Sequence, residues 1–176
     1  MTSPFIIREI PSSESEPYRR FFAVGLREDE DNFRISPSDD AEAPYPTCDR
    51  ADSFTLGAFA GDALCGVVSF NRDGGDREKL RHKGILFRMY VAAAFRGRGI
   101  AGMLIRAVLE RADRLADIEQ INLTVVAGNP KAKALYERAG FQAFALEARA
   151  IKWKGGYHDE YQMAYRMERF ALPERE

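Results

Sequence analysis

Seven residues in the middle of this chain, Arg96-Gly97-Arg98-Gly99-Ile100-Ala101-Gly102, limit what it can fold into more than any others. Just before them, residues 84–91 form an apolar run of strand length. After them, from 98 to 116, Ile100, Met103, Leu104, Val108 and Leu115 recur at helical spacing on one face. A strand that passes into a helix through three glycines leaves backbone amides open to a ligand. The first N–H groups of a helix have no internal partner, and the helix dipole adds positive potential. Phosphate suits such a place, and Arg96 and Arg98 add charge. A tight strand–helix turn carrying two solvated arginines fits the same residues, and the turn alone does not separate the two readings.

The flanks read as hairpins. Residues 53–60 and 63–70 are strand-like around Gly61-Asp62, a two-residue turn in which glycine takes the positive φ. Residues 141–153 and 157–167 form a second hairpin around Gly155-Gly156, which sets Lys152 opposite Asp159. In its second strand Tyr161, Met163, Tyr165 and Met167 alternate with polar or small residues, so one face is buried. Residues 121–126 read as a buried strand and 131–139 as a short helix, with Pro130 at its start and Gly140 at its end. Near the beginning, residues 5–10 form a short strand closed by Pro11. Ser12, Ser13 and Ser15 are cap candidates for a helix over 18–26. Residues 28–42 are acidic, broken up by prolines and expected to be irregular, too long for an ordinary connection and so functional or mobile. Residues 173–176 read as a frayed tail. Hairpins at both ends of a strand–helix–strand–helix centre make an α+β fold.

Composition narrows the function. A chain of 176 residues suits one domain, residues 1–176. With 26 basic and 27 acidic residues the net charge is −1, so no global field draws the chain to nucleic acid or an anionic membrane. No basic stripe is interleaved with aromatics. No run approaches the roughly 18 apolar residues of a membrane span, and the first ten residues lack a secretory pattern. Cys48 and Cys65 have no metal-type spacing, so no metal is expected, and they fit a reduced, cytoplasmic setting. Cys65, in the apolar run Leu64-Cys65-Gly66-Val67-Val68, reads as a core residue rather than a nucleophile.

Three kinds of phosphate binder can own the central turn. A Walker-type loop needs Gly-Lys-Ser/Thr, which is absent. Gly97, Gly99 and Gly102 satisfy G-x-G-x-x-G, but that fingerprint opens a fold of repeated parallel units and expects an acid about 20 residues on. Here hairpins precede the turn, and the next strand ends Val125-Val126-Ala127-Gly128-Asn129 without a carboxylate. The third pattern is Arg96-x-x-Gly99-x-Ala101, which resembles the Arg/Gln-x-x-Gly-x-Gly/Ala signature of the GCN5-related N-acetyltransferase (GNAT) superfamily. A second motif agrees: Asn129-Pro130-Lys131-Ala132-Lys133-Ala134-Leu135-Tyr136, followed by Gly140-Phe141, resembles the family's fifth-strand, fourth-helix segment. The resemblance covers about residues 53–168; the first fifty match in layout only.

The resemblance implies a mixed, mostly antiparallel sheet of about seven strands flanked by about four helices, with acetyl-CoA as acyl donor. Met89, Tyr90 and Val91 would pair with the pantetheine arm where the fourth and fifth strands splay. The amides of Gly97, Gly99, Ile100, Ala101 and Gly102, near Arg96 and Arg98, would hold the pyrophosphate. Asn129 and Lys131 would lie beside the coenzyme, although a solvated first-turn lysine fits Lys131 equally well. The implied reaction is direct attack of an amine on the thioester, with Tyr136 protonating the leaving thiolate and a backbone N–H near Val91 stabilising the oxyanion. No acid lies in residues 85–91 to serve as base. Glu28, Glu30, His158, Asp159 and Glu160 remain candidates, none singled out. The expected acceptor is a small-molecule amine or a peptide amine. The acids of 28–42, with Phe33 and Tyr45 among them, admit a cationic one. The expected state is monomer or homodimer. A non-catalytic acyl-CoA sensor on the same fold is the rival reading, and the presence of Tyr136 weighs against it.

Overall fold

The computed structural model describes residues 4–75 and 77–170. In chain order they form β1 (Ile6–Glu9), α1 (Ser15–Glu28), α2 (Pro37–Glu42), β2 (Ser53–Ala60), β3 (Ala63–Arg72), β4 (Lys83–Val91), α3 (Ile100–Asp113), β5 (Gln120–Val126), α4 (Pro130–Arg138), β6 (Gln142–Trp153) and β7 (Gly156–Arg166). The seven strands make one sheet in the order β1-β2-β3-β4-β5-β7-β6. Every neighbouring pair is antiparallel except β4 with β5. The fold is α+β, as expected.

Helices cover both faces of the sheet. On one, α3 turns Ile100, Leu104, Ile105, Val108 and Ala112 inward against Phe54, Val68 and Phe70 of the β2–β3 hairpin and Leu123, Val125 and Met163 of β5 and β7. Ile105 and Ala112 take the fully buried places that the sequence pattern assigns to Met103 and Leu115, which pack at the margin. On the other face, Tyr18, Phe22 and Leu26 of α1 bury Val67 and Tyr90. Removing one such side chain from water contributes about 1.5–3 kcal/mol. Cys65 is fully buried, as its apolar surroundings suggest.

Two local expectations are overturned. Residues 37–42 are helical rather than irregular. Ser36 accepts from the Asp39 amide, Asp39 accepts from the Ser36 amide at 3.2 Å, and Pro37 opens the helix. This reciprocal cap offsets the poor helix propensity of the segment. The last hairpin turns one residue earlier than expected: Trp153 pairs with Gly156, and Lys154 (φ 47°) and Gly155 (φ 80°) form the turn. A two-residue turn matched to the strand twist takes positive φ at both positions, and Lys-Gly meets that need here with glycine second. Lys152 therefore faces Tyr157, not Asp159, and Asp159 accepts from the Arg149 amide at 2.7 Å. The expected frayed tail at 173–176 lies outside the described residues.

Candidate active site

The site begins as a defect in the sheet. β4 and β5 are in register at only three pairs, Lys83 with Gln120, Gly84 with Ile121 and Ile85 with Asn122. Beyond them the strands part. Between Val67 and Ser69 of β3 the ladder advances two residues while β4 advances three, from Tyr90 to Phe87. The extra residue is accommodated at Arg88, whose φ is 53°. A bulge of this kind bends its strand and ends pairing on the far edge. The result is a cleft of about 1110 Å³ between the β4 segment 86–91 and the end of β5.

The α3 N-terminus meets this cleft. Gly99 is its N-cap at φ 79°, with no side-chain cap, and the first helical bond runs from the Met103 amide to the Gly99 carbonyl at 3.1 Å. The amides of Ile100, Ala101 and Gly102 thus have no carbonyl within the helix to bond. A Cβ built at Gly97, Gly99 or Gly102 meets nothing within 4 Å. Gly97 and Gly99 take their positive φ at no steric cost, and the space beside them admits a close approach by an anion.

Nine of the thirteen residues expected from the sequence line the cleft: Met89, Tyr90, Val91, Arg96, Gly97, Ala101, Asn129, Lys131 and Tyr136. The other four do not. Arg98 is exposed, its guanidinium 5.5 Å from the Phe95 ring. Ile100 sends its side chain into the core against Gly66, and Gly99 and Gly102 form the backbone of the turn. Arg96 is already engaged, with an ion pair to Asp29 and a 2.9 Å bond from its Nε to the Val91 carbonyl. That pairing ties the turn to α1 and leaves the backbone amides as the main attraction for phosphate. Tyr90 lines the wall, but its hydroxyl donates to Glu28 at 3.0 Å, and its pKa is pushed up to about 12 by burial and by that carboxylate. Asn129 caps α4 by accepting from the Ala132 amide at 3.1 Å.

Tyr136 is 7% exposed, and its ring meets Phe141 edge-on at 5.8 Å. Burial pushes its hydroxyl well above the ordinary tyrosine range. Burial thus favours the neutral phenol, and the hydroxyl makes no hydrogen bond to another described residue.

The acetyltransferase (GNAT) family pattern matches residues 18–141. The chain belongs to this family. The L-amino acid N-acetyltransferase AaaT of Escherichia coli K12 is 31% identical over 78 residues, which take in 44% of this chain and 48% of that one. The chain thus spans about half the length of the curated relative it matches. Among solved structures, a GNAT-family acetyltransferase from Streptococcus pneumoniae aligns over 93% of this chain and 99% of its own, with a TM-score of 0.76 and 22% identity. A GCN5-related N-acetyltransferase from Kribbella flavida aligns over 93% and 98%, with a TM-score of 0.78 and 20% identity. At these identities the structural likeness speaks for the fold.

Within this GNAT domain the acids of residues 28–42 are largely occupied. Glu28 accepts from Tyr90, Asp29 pairs with Arg96, Glu30 with Lys154 and Asp40 with Arg88, and Asp39 caps α2. These pairs hold the α1–α2 segment to the rest of the domain. The structure also singles out a group that the sequence reading left among five candidates. Glu160 of β7 is only 1% exposed, and its Oε2 has no hydrogen-bond partner. A glutamate at a polar position of an alternating strand looks solvated; in the fold it lies between Thr124, Glu147 and Arg34 of the α1–α2 connection. Among the described residues no cluster of three His, Cys, Asp or Glu side chains could hold a metal ion, and no helix is long and apolar enough to cross a membrane.

Proposed function

We propose that the domain transfers an acetyl group from acetyl-CoA to a primary amine by direct attack, with Tyr136 as the proton donor to the departing sulfur. The observation that carries this reading is the buried, protonated Tyr136 phenol beside a cleft that the uncapped start of α3 also reaches. The residues fit the coenzyme. Open amides and open space at residues 97–102 suit a pyrophosphate, and the β4 segment 89–91, which has no strand partner on its β5 side, suits an extended amide-bearing arm. When bound, acetyl-CoA supplies an activated acyl carbon and a thiol leaving group.

The chain's own residues do the remaining work. The backbone of 89–91 and the turn 97–102 orient the donor. Tyr136 holds its proton near where sulfur leaves, and the surrounding apolar wall of Leu135 and Val125 keeps water from competing as nucleophile. No activated serine or cysteine is required. The acceptor is a free amine, of a small molecule or a peptide, and the likeness to the Escherichia coli L-amino acid N-acetyltransferase makes L-amino acids the first class to try.

The test is a thermal-shift titration with acetyl-CoA beside NAD, followed by thiol release with a panel of L-amino acids, peptides and polyamines. At about 100 times its Kd, acetyl-CoA stabilises by roughly 2.7 kcal/mol, a rise of about 5–10 °C. A shift with NAD alone overturns the reading. A shift with acetyl-CoA but no thiol release with any amine leaves a sensor rather than an enzyme.

A further inference from the structure

The gap between β4 and β5 opens on both faces of the sheet, and the two faces differ. Residues opposite one another in a ladder share a face. Leu123 with Met163 and Val125 with Tyr161 lie on the face covered by α3 and α4, together with Tyr136. Thr124 with Gln162 and Val126 with Glu160 lie on the other face, under the connection between α1 and α2. Thr124 and Gln162 line the cleft from that side, and so does Arg34 of the connection. Glu160 is the next residue along this face from Gln162. Its side chain is 1% exposed, and the side chain whose guanidinium lies over it, that of Arg34, is 61% exposed. Arg34 Nε comes within 3.2 Å of Oε2 but makes no hydrogen bond to it. A buried carboxylate is thus held under a cation that is itself in solvent and poorly bonded.

We propose that Glu160 receives the acceptor amine: it binds the incoming ammonium in the place where Arg34 now stands and takes a proton from it. This rests on the acyl-transfer reading and deepens it by assigning the base. Glu160 accepts one proton from the ammonium and becomes a neutral acid. The freed nitrogen lone pair forms the C–N bond as the C–S bond breaks. Tyr136 gives its proton to sulfur and regains one from the new amide nitrogen through water, while the proton on Glu160 leaves to solvent. Acceptor and donor thus approach from opposite faces of the sheet and meet in the gap.

The charged groups facing Glu160 are Arg34 from the α1–α2 connection and Glu147, its register partner on β6; β5 presents the Thr124 hydroxyl. Burial and Glu147 push the Glu160 carboxyl up, and Arg34 and Thr124 oppose them. Activity requires the ionised form, so it is lost as pH falls through this pKa. Removing Arg34 must move the acidic limb of the kcat/KM profile to higher pH, and removing Glu147 must move it to lower pH. The amine's own limb stays where it is in every variant.

The experiment measures acetyl-CoA thermal shift and the pH profile of kcat/KM, with one amine, for the wild-type chain and for Glu160→Gln, Arg34→Gln and Glu147→Gln. Glu160→Gln should lower kcat/KM roughly a hundredfold, within the range of general-base contributions, with the acetyl-CoA shift retained. The two other variants, both at exposed positions, should move the limb in opposite directions, a response that a packing role for Glu160 does not produce. They decide the matter even if Glu160→Gln fails to fold. A retained acetyl-CoA shift with the limb unmoved in both, or with full activity in Glu160→Gln, overturns the role of Glu160 and leaves acyl transfer standing. A wild-type chain that binds no acetyl-CoA, or releases no thiol with any amine, overturns both.

Discussion

Replacing Tyr136 by phenylalanine separates chemistry from architecture, because the hydroxyl does nothing for the fold. The ring packs edge-on to Phe141 at 5.8 Å and keeps that contact as phenylalanine. The hydroxyl makes no hydrogen bond to another described residue, and its desolvation costs something on the order of 1 kcal/mol. Tyr136→Phe should therefore leave Tm unchanged or raise it by about 2–4 °C. Turnover should move the other way. Proton transfer by a placed side chain contributes about a hundredfold to ten-thousandfold, and water reaching the cleft recovers part of that, so kcat falls at least about tenfold. Coenzyme affinity, which the acyl-transfer proposal assigns to the backbone of residues 89–91 and 97–102, should stay nearly constant. Continuous thiol detection gives kcat, and calorimetric titration gives the acetyl-CoA Kd. Wild-type turnover in the variant would remove Tyr136 from the mechanism. An equal loss in kcat and in acetyl-CoA affinity would make it a structural residue. With its pKa raised by burial, the wild-type phenol stays protonated through the alkaline range, so no alkaline loss of activity below about pH 10, the ordinary tyrosine value, should trace to Tyr136.

Three further outcomes follow from the packing. Gly25→Ala places a Cβ 2.8 Å from the Tyr90 ring; overpacking costs about 1–3 kcal/mol and the gain in helix propensity returns about 1, so thermal melts should show a fall of a few degrees, together with weaker acetyl-CoA binding through the displaced wall. Gly102→Ala meets nothing within 4 Å, so it should stabilise the ligand-free domain by up to about 1 kcal/mol, and if the turn holds the pyrophosphate as proposed it should also weaken acetyl-CoA in a titration. Glu160→Gln should raise Tm at pH 8: the folded pKa is raised, so the stability tied to its neutral form is present below the unfolded value and lost as pH rises through the folded one. The difference from wild type should close towards pH 4, and a difference that is constant with pH would contradict it.

The legible parts of this domain were those encoded locally. Gly97 and Gly99 mark a backbone conformation, positive φ before a helix, that few other residues tolerate, so the turn could be read from seven letters. The β2–β3 hairpin likewise followed from Gly61-Asp62, which joins Ala60 to Ala63 as expected. What escaped depends on partners distant in the chain. The acids of residues 28–42 looked solvated because their cations, Arg88, Arg96 and Lys154, lie far away in sequence. Glu160 looked like one polar residue among several until Arg34 was placed over it. Two misses were legible in principle: Ser36-Pro37-Ser38-Asp39 carries the signature of a capped helix start, and Lys154-Gly155 puts glycine at the second position of the turn as readily as Gly155-Gly156 does. The β4–β5 gap itself has no sequence signal beyond the family resemblance, since the residues of both strands suit a fully paired sheet as well as a splayed one.

That gap interrupts the strand pairing of the sheet, while α3 packs against both halves. One half runs β1-β2-β3-β4, the other β5-β7-β6, and three consecutive register pairs at one end hinge them together. From the hinge to Val91 the free arm of β4 is six residues, about 20 Å at strand rise. Rotating one half by about 5° thus moves the far end of that arm by nearly 2 Å, about half the width of a methyl group. At the foot of the β4 arm Phe70 lies against Gly84, leaving no room for a Cβ. On the acyl-transfer reading, the room between the two arms is thereby tied to residues outside the cleft as well as to those that line it.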